Sequence, residues 1–276
     1  MKNKTSRALA LVFAIIIAIT AASAVVTYFA LTRHFDHAIC HYDLSPVSYA
    51  ARILPWCAVA TAIVCAFAVR RRTSLEGEPS VSTFGTFASL LSGLLMLSSA
   101  VFVVIGERTI ESRFPQIVWV AAAAAVLGGI YFVASPFVKD GAVITALSFA
   151  PALWAASVLL QEYFRAGEPI NSPLRDLDLS MYAFLLLYFT ESIRFRLKSQ
   201  SSAIYYFCAL SAIAFTGCAA LSKLAVSFTD SSFDFNLISY CVGTALVLHI
   251  ASDIVSVIRM TDAHDIAPKH AAKRGS

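Results

Sequence analysis

The chain has 276 residues, of which 58% are hydrophobic and only 14% charged, with a mean hydropathy of +0.73 and a formal net charge of +4. A soluble chain carries about 25% charged residues, so this composition excludes an ordinary water-soluble fold. The small basic excess sits between apolar runs and gives no reason to expect nucleic acid as a partner.

Eight apolar runs follow one another, at roughly 8–31, 47–69, 83–106, 115–134, 141–163, 178–195, 202–226 and 236–258. Each approaches the ~20 residues that cross a bilayer core as a helix. In lipid the backbone must satisfy its own hydrogen bonds, and runs this continuous do so as helices. The sequence therefore predicts an all-α polytopic bundle of eight spans, a single transmembrane domain over 1–258. A short basic tail follows at 259–276.

The first run is preceded by Lys2, Lys4 and Arg7 and contains Ala22-Ser23-Ala24, a pattern seen in cleaved secretory signals. Its apolar stretch exceeds the usual signal core, so it reads as an uncleaved span. Arg70, Arg71 and Arg72 follow the second span, Lys139 the fourth, Arg194, Arg196 and Lys198 the sixth, and Arg259, Lys269, Lys273 and Arg274 the eighth. The other loops carry Arg33, Arg108, Arg113, Arg165 and Arg175 mixed with acids. Basic residues favour the cytoplasmic side, so both termini are expected inside.

The loop after the first span, His34-Phe35-Asp36-His37-Ala38-Ile39-Cys40-His41-Tyr42-Asp43, holds three of the six histidines. Imidazole and thiolate suit a zinc-like transition metal. His34, His37, Cys40 and His41 are the candidate ligands. Continued as a helix, this loop would set His37 and His41 one turn apart. The alternatives are a solvated rim and a pH-sensing loop.

Further along, Pro55 and Pro151 each remove a backbone donor and are expected to bend their spans. Gly85, Ser89 and Gly93, and the small residues of Ala121–Ala125 and Gly128-Gly129, predict close helix packing. The six cysteines are scattered, five of them within spans, and suggest no disulfide framework.

Ionisable residues at membrane depth are costly and mark candidate sites. Glu191 in the sixth span and His249 and Asp253 in the eighth form an expected intramembrane polar set. Near the opposite helix ends stand Arg52, Glu162, Asp178 and Lys223, candidates for an outer-rim ion pair, with Arg52 expected against Glu162 or Asp178. The run His249-Ile250-Ala251-Ser252-Asp253 holds triad residue types, but Ser252 points to a different helix face from His249. No zinc-protease or serine-hydrolase signature is found.

The segments Pro151-Ala152-Leu153-Trp154 through Glu162-Tyr163-Phe164, and Tyr182 through Tyr188-Phe189 and Glu191 to Arg194-Phe195, resemble uncharacterised multi-pass bacterial membrane proteins. The resemblance covers spans five and six. It implies a bacterial cell membrane and an eight-helix chain, and no activity.

The expected function is transport-like: a carrier for a small solute, proton or metal ion, or the membrane subunit of one. The alternative is a non-enzymatic sensor or assembly protein that reads metal or pH through the first outer loop. Its output would need a partner membrane protein or a second copy of the chain. An intramembrane enzyme ranks last.

Overall fold

The computed structural model describes residues 4–69, 82–106, 115–138, 141–165, 169, 171–197, 202–230 and 237–264. The basic residues at 2, 70–72, 108, 113, 139, 198 and 269–274 lie outside them, so most of the charge pattern behind the expected orientation does too.

Helices dominate the described residues. In chain order they are α1 (Lys4–His34), α2 (Pro46–Val69), α3 (Thr83–Gly106), α4 (Pro115–Ala134), α5 (Ala142–Leu147), α6 (Phe149–Tyr163), α7 (Pro173–Arg196), α8 (Ser202–Thr229) and α9 (Leu237–His264). Seven stretches are long and apolar enough to cross a membrane: those of α1, α2, α3, α4, α8 and α9, and the α5–α6 pair taken together. Large apolar side chains such as Leu11, Val64, Phe67, Phe102 and Val143 face outward. Water tolerates few such exposed patches, whereas a bilayer covers them. The chain is thus a multi-pass membrane protein.

The sixth run differs from the others. α7 carries Arg175, Asp176 and Asp178 near its start and Glu191, Arg194 and Arg196 near its end, and it is not among the seven apolar stretches. It is nonetheless packed along α6 and α8. Asp178 near its start meets Lys223 late in α8, and Tyr188 further on meets Tyr205 early in α8. The two helices therefore run antiparallel.

The centre of the bundle is α8. Of its most apolar 18-residue window 83% is buried, and it packs against α1, α2, α7 and α9. From α9 the contacts pass through α3, α4 and α6 to α7 and close a ring on α8. Phe132, Trp154, Tyr182, Tyr188, Phe189 and Tyr206 are among the aromatic side chains in its interior.

The small residues act as the sequence suggests. A Cβ on Gly93 would come 2.8 Å from the Gly129 carbonyl oxygen, and one on Gly129 would come 2.9 Å from that of Gly93. Nearby, the Ser89 hydroxyl donates to the Phe132 carbonyl at 2.7 Å. Gly129→Leu is therefore expected to wedge α3 from α4 and to cost about 1–3 kcal/mol, the usual scale of overpacking. Thermal unfolding in detergent checks this; an unchanged midpoint would show that the crossing has slack.

Pro151 has a clear consequence. It cannot donate to the Leu147 carbonyl, and its ring crowds that group. The fifth run accordingly breaks at Ser148, between α5 and α6. Pro55 is carried inside a continuous α2.

The loop after α1 does not take the helical course. It is a hairpin, not a continuation of α1: β1 (Phe35–Asp36) pairs antiparallel with β2 (His41–Tyr42). An Asp36 carboxylate oxygen accepts the Ala38 amide at 2.8 Å, a local turn that competes with helix. Cys40 takes a left-handed backbone with φ of 51° to close it. His37 and His41 thus sit across a turn and not on one helical face.

The hairpin leads into a built helix start. The Ser45 hydroxyl accepts the Ser48 amide at 3.2 Å and Pro46 opens α2, a favoured arrangement for an N-terminus. Asp43 braces it, accepting from the Ser45 amide at 3.2 Å and the Ser48 hydroxyl at 2.9 Å.

Candidate functional site

Charged groups at membrane depth need partners, and α7 is tied to its neighbours by two polar sets, one through Asp178 and one through Tyr188. At the end nearer the hairpin, Lys223 Nζ lies 2.6 Å from Asp178 Oδ2, with both side chains almost wholly enclosed. Lys223 also donates to the Leu174 carbonyl at 3.1 Å and lies 5.2 Å from the centre of the Tyr240 ring. The Tyr240 hydroxyl donates to Asp178 at 3.2 Å. Glu162 pairs with Arg165 at 3.3 Å and feels the charges of Asp178 and Lys223.

This arrangement brings two of the ion-pair candidates, Asp178 and Lys223, together and corrects one expectation. Arg52 pairs with neither Glu162 nor Asp178. It sits on α2, whose main neighbours are α1 and α8, while Lys223 on α8 reaches Asp178 directly. Arg52 instead donates to His41 Nε2 at 3.2 Å and covers the Tyr42 ring at 5.7 Å.

Toward the other end, the Tyr188 hydroxyl donates to Asp253 Oδ2 at 2.6 Å. His249 Nε2 lies 3.6 Å from the same oxygen, an ion-pair distance too long for a hydrogen bond. Helical spacing of four residues stacks His249 and Asp253 on one face of α9, as the sequence suggests. Phe132 holds the imidazole edge-on with ring centres 4.9 Å apart, and His249 Nδ1 is buried with no hydrogen-bond partner among the described residues. Tyr205 continues the set to Tyr188.

Glu191 stands apart from this set. Arg194 donates to its Oε1 at 2.6 Å, and its Oε2 is buried with no hydrogen-bond partner among the described residues. Cys208 on α8 lies within its field. The expected carboxylate–imidazole–carboxylate set does not form as a unit, because Tyr188, one turn before Glu191, takes the position on Asp253. Ser252 points elsewhere: a Cβ on Gly85 of α3 would come 2.6 Å from its hydroxyl. The paper triad of α9 is thus split between two faces.

The hairpin histidines are engaged separately. His34 Nδ1 bonds Asp43 Oδ2 at 2.8 Å, His41 holds Arg52, and His37 packs edge-on against Phe35. Cys40 Sγ is turned to the His37 carbonyl. Among the described residues no three metal-ligating side chains converge.

The bonds from His34 and the two serines hold the Asp43 carboxyl down at about 2, below its ordinary value. A carboxylate lowered in the folded state contributes stability above its ordinary pKa of about 3.9 and loses it as pH falls through the lowered value. The brace on α2 is therefore expected to be complete above about pH 4 and to fail between about pH 4 and pH 2. Asp43→Ala, which removes both carboxylate oxygens, should mimic that loss at neutral pH. Faster amide exchange at Ser45 and Ser48 is the expected signature; unchanged exchange would contradict the brace.

Sequence reasoning missed Tyr188, Tyr205 and Tyr240. Their rings count as apolar in a hydropathy reading. A hydroxyl buried in a span needs a partner, and that requirement was the available signal.

No known family model matches the chain, and neither a curated protein nor a solved structure matches it at a significant level.

Proposed function

We propose that this chain is a carrier of the bacterial cytoplasmic membrane that binds and moves a proton or small cation. In this reading α7 is an eighth crossing and both termini lie inside. Its 24 residues span about 36 Å at 1.5 Å per residue, enough for a core of about 30 Å. Its charges lie toward its two ends, where Lys223 of α8 neutralises Asp178 and Arg194 of α7 itself neutralises Glu191, with twelve uncharged residues, 179–190, between.

The observation that carries the reading is the Tyr205–Tyr188–Asp253–His249 set. Tyrosine both donates and accepts, aspartate accepts, and imidazole changes charge near neutral pH in its unperturbed form. Such a row can pass a proton between helices. The Asp253 side chain is about a third exposed, while Tyr188 is enclosed, so the row leads from the surface into the bundle. The buried Glu191 Oε2 and His249 Nδ1, which have no hydrogen-bond partner among the described residues, are further places to hold a proton or cation.

Reconstitution tests the reading. Liposomes containing the purified protein are expected to dissipate an imposed pH gradient faster than protein-free liposomes, with a rate that scales with protein content. Equal rates under every counter-ion and solute condition would overturn it.

A second reading rests on the hairpin. The His34–Asp43 bond ties an imidazole to the start of α2, the wiring a pH sensor needs. Such a sensor would act through a partner membrane protein or a second copy. Zinc binding at His34, His37, Cys40 and His41 would require these side chains to leave their present partners. Metal content of the protein, with and without His37→Ala/His41→Ala, tests that version.

A further inference from the structure

A cavity of about 410 Å³ opens between α2 and α7 beside the hairpin, and neither polar set described above uses it. Its size falls within the roughly 300–1,000 Å³ of small-molecule sites. Trp56 and Phe215, with ring centres 5.0 Å apart, form an apolar wall. Opposite charges line the same space: Arg52 from α2 and Asp176 from α7.

These two charges sense one another without closing into an ion pair. Arg52 contacts His41 Nε2 and the Tyr42 ring, which leaves guanidinium donors to spare. Asp176 is exposed, with Ser180 one turn further along the same helix and also lining the cavity. Pro55 adds an acceptor. It lacks the donor that would close on the Ala51 carbonyl four residues earlier, and both residues line the cavity.

We propose that the cavity binds a zwitterion with a primary ammonium, an anionic group and an apolar stem. The anion lies on the Arg52 guanidinium, which matches carboxylate or phosphate. The ammonium lies among the Asp176 carboxylate, the Ser180 hydroxyl and the Ala51 carbonyl. The stem lies on Trp56 and Phe215. Free amino acids and the headgroup of phosphatidylethanolamine share this chemistry. The site does not depend on the proton reading and stands or falls by binding alone.

Purified protein in phosphatidylcholine nanodiscs provides the test. Equilibrium binding of radiolabelled leucine reads the free solute, and native mass spectrometry after doping with phosphatidylethanolamine reads the headgroup. Wild type is expected to bind one equivalent of one of these. Arg52→Gln and Asp176→Asn should each weaken it by at least about tenfold, with Arg52→Lys recovering part of the loss. N-acetylleucine and phosphatidylcholine, which lack a primary ammonium, should not compete. Retention of neither probe would overturn the proposal, as would binding that both substitutions leave intact. Both residues are exposed, so the variants should fold; a monodisperse elution profile checks this.

Discussion

Lys223→Met is expected to cost the folded protein about 3–5 kcal/mol, the scale on which removing one partner of a buried ion pair destabilises a fold. Lys223 and Asp178 are 1% and 5% exposed at the side chain, so water cannot replace the lost ammonium. The stranded carboxylate would keep only the Tyr240 hydroxyl as a close donor among the bonds described. The effect should also reach α9, because its Tyr240 donates to Asp178 and lies under the Lys223 ammonium. Replacing both partners with apolar residues removes the stranded charge. Lys223→Met/Asp178→Leu should therefore recover most of the loss. Unfolding midpoints in detergent or by steric trapping measure both. A double variant as unstable as the single would mean that the pair itself, and not the stranded charge, holds the helices.

Asp253→Asn carries the second large effect. It keeps the size of the side chain and the acceptor for Tyr188 but removes the proton-accepting charge. Under the proposed function it should lower proton flux by roughly 10²–10⁴-fold, the usual contribution of a positioned proton-transferring group. Tyr188→Phe leaves Asp253 ionisable but without its 2.6 Å donor. It should lower flux less and shift the pH at which flux is half-maximal. Glu191→Gln is the comparison, since Glu191 is bonded to Arg194 and not to Asp253. Equal flux in wild type and Asp253→Asn would remove Asp253 from any transport path.

The helices were legible because lipid imposes a minimum length and a composition on each crossing. Runs at 83–106 and 115–134 coincide with α3 and α4. The read limits fell short in α7, α8 and α9, where polar turns extend the helix past the apolar window: the sixth run begins at 178, but α7 begins at Pro173. The hairpin was illegible because the spacing of its histidines suits a helix equally well. Only the local competition from Asp36, closed by the strained Cys40, decides for a turn. For the polar sets, spacing within one helix sufficed for His249 and Asp253. Partners on different helices were another matter. Arg52, Glu162, Asp178 and Lys223 could be gathered at one end of the bundle, but their pairing depends on which helices are neighbours. Placing α8 at the centre assigns Lys223 to Asp178 and leaves Arg52 to the hairpin.

The proposed proton path requires Asp253 to take up and release a proton. Infrared difference spectroscopy across a pH step, on protein carrying isotope-labelled aspartate, reads that event. The predicted result is a protonated carboxyl band that grows on acidification, is absent from Asp253→Asn and shifts in Tyr188→Phe. A spectrum with no band that depends on Asp253 at any pH at which the protein stays folded would contradict it.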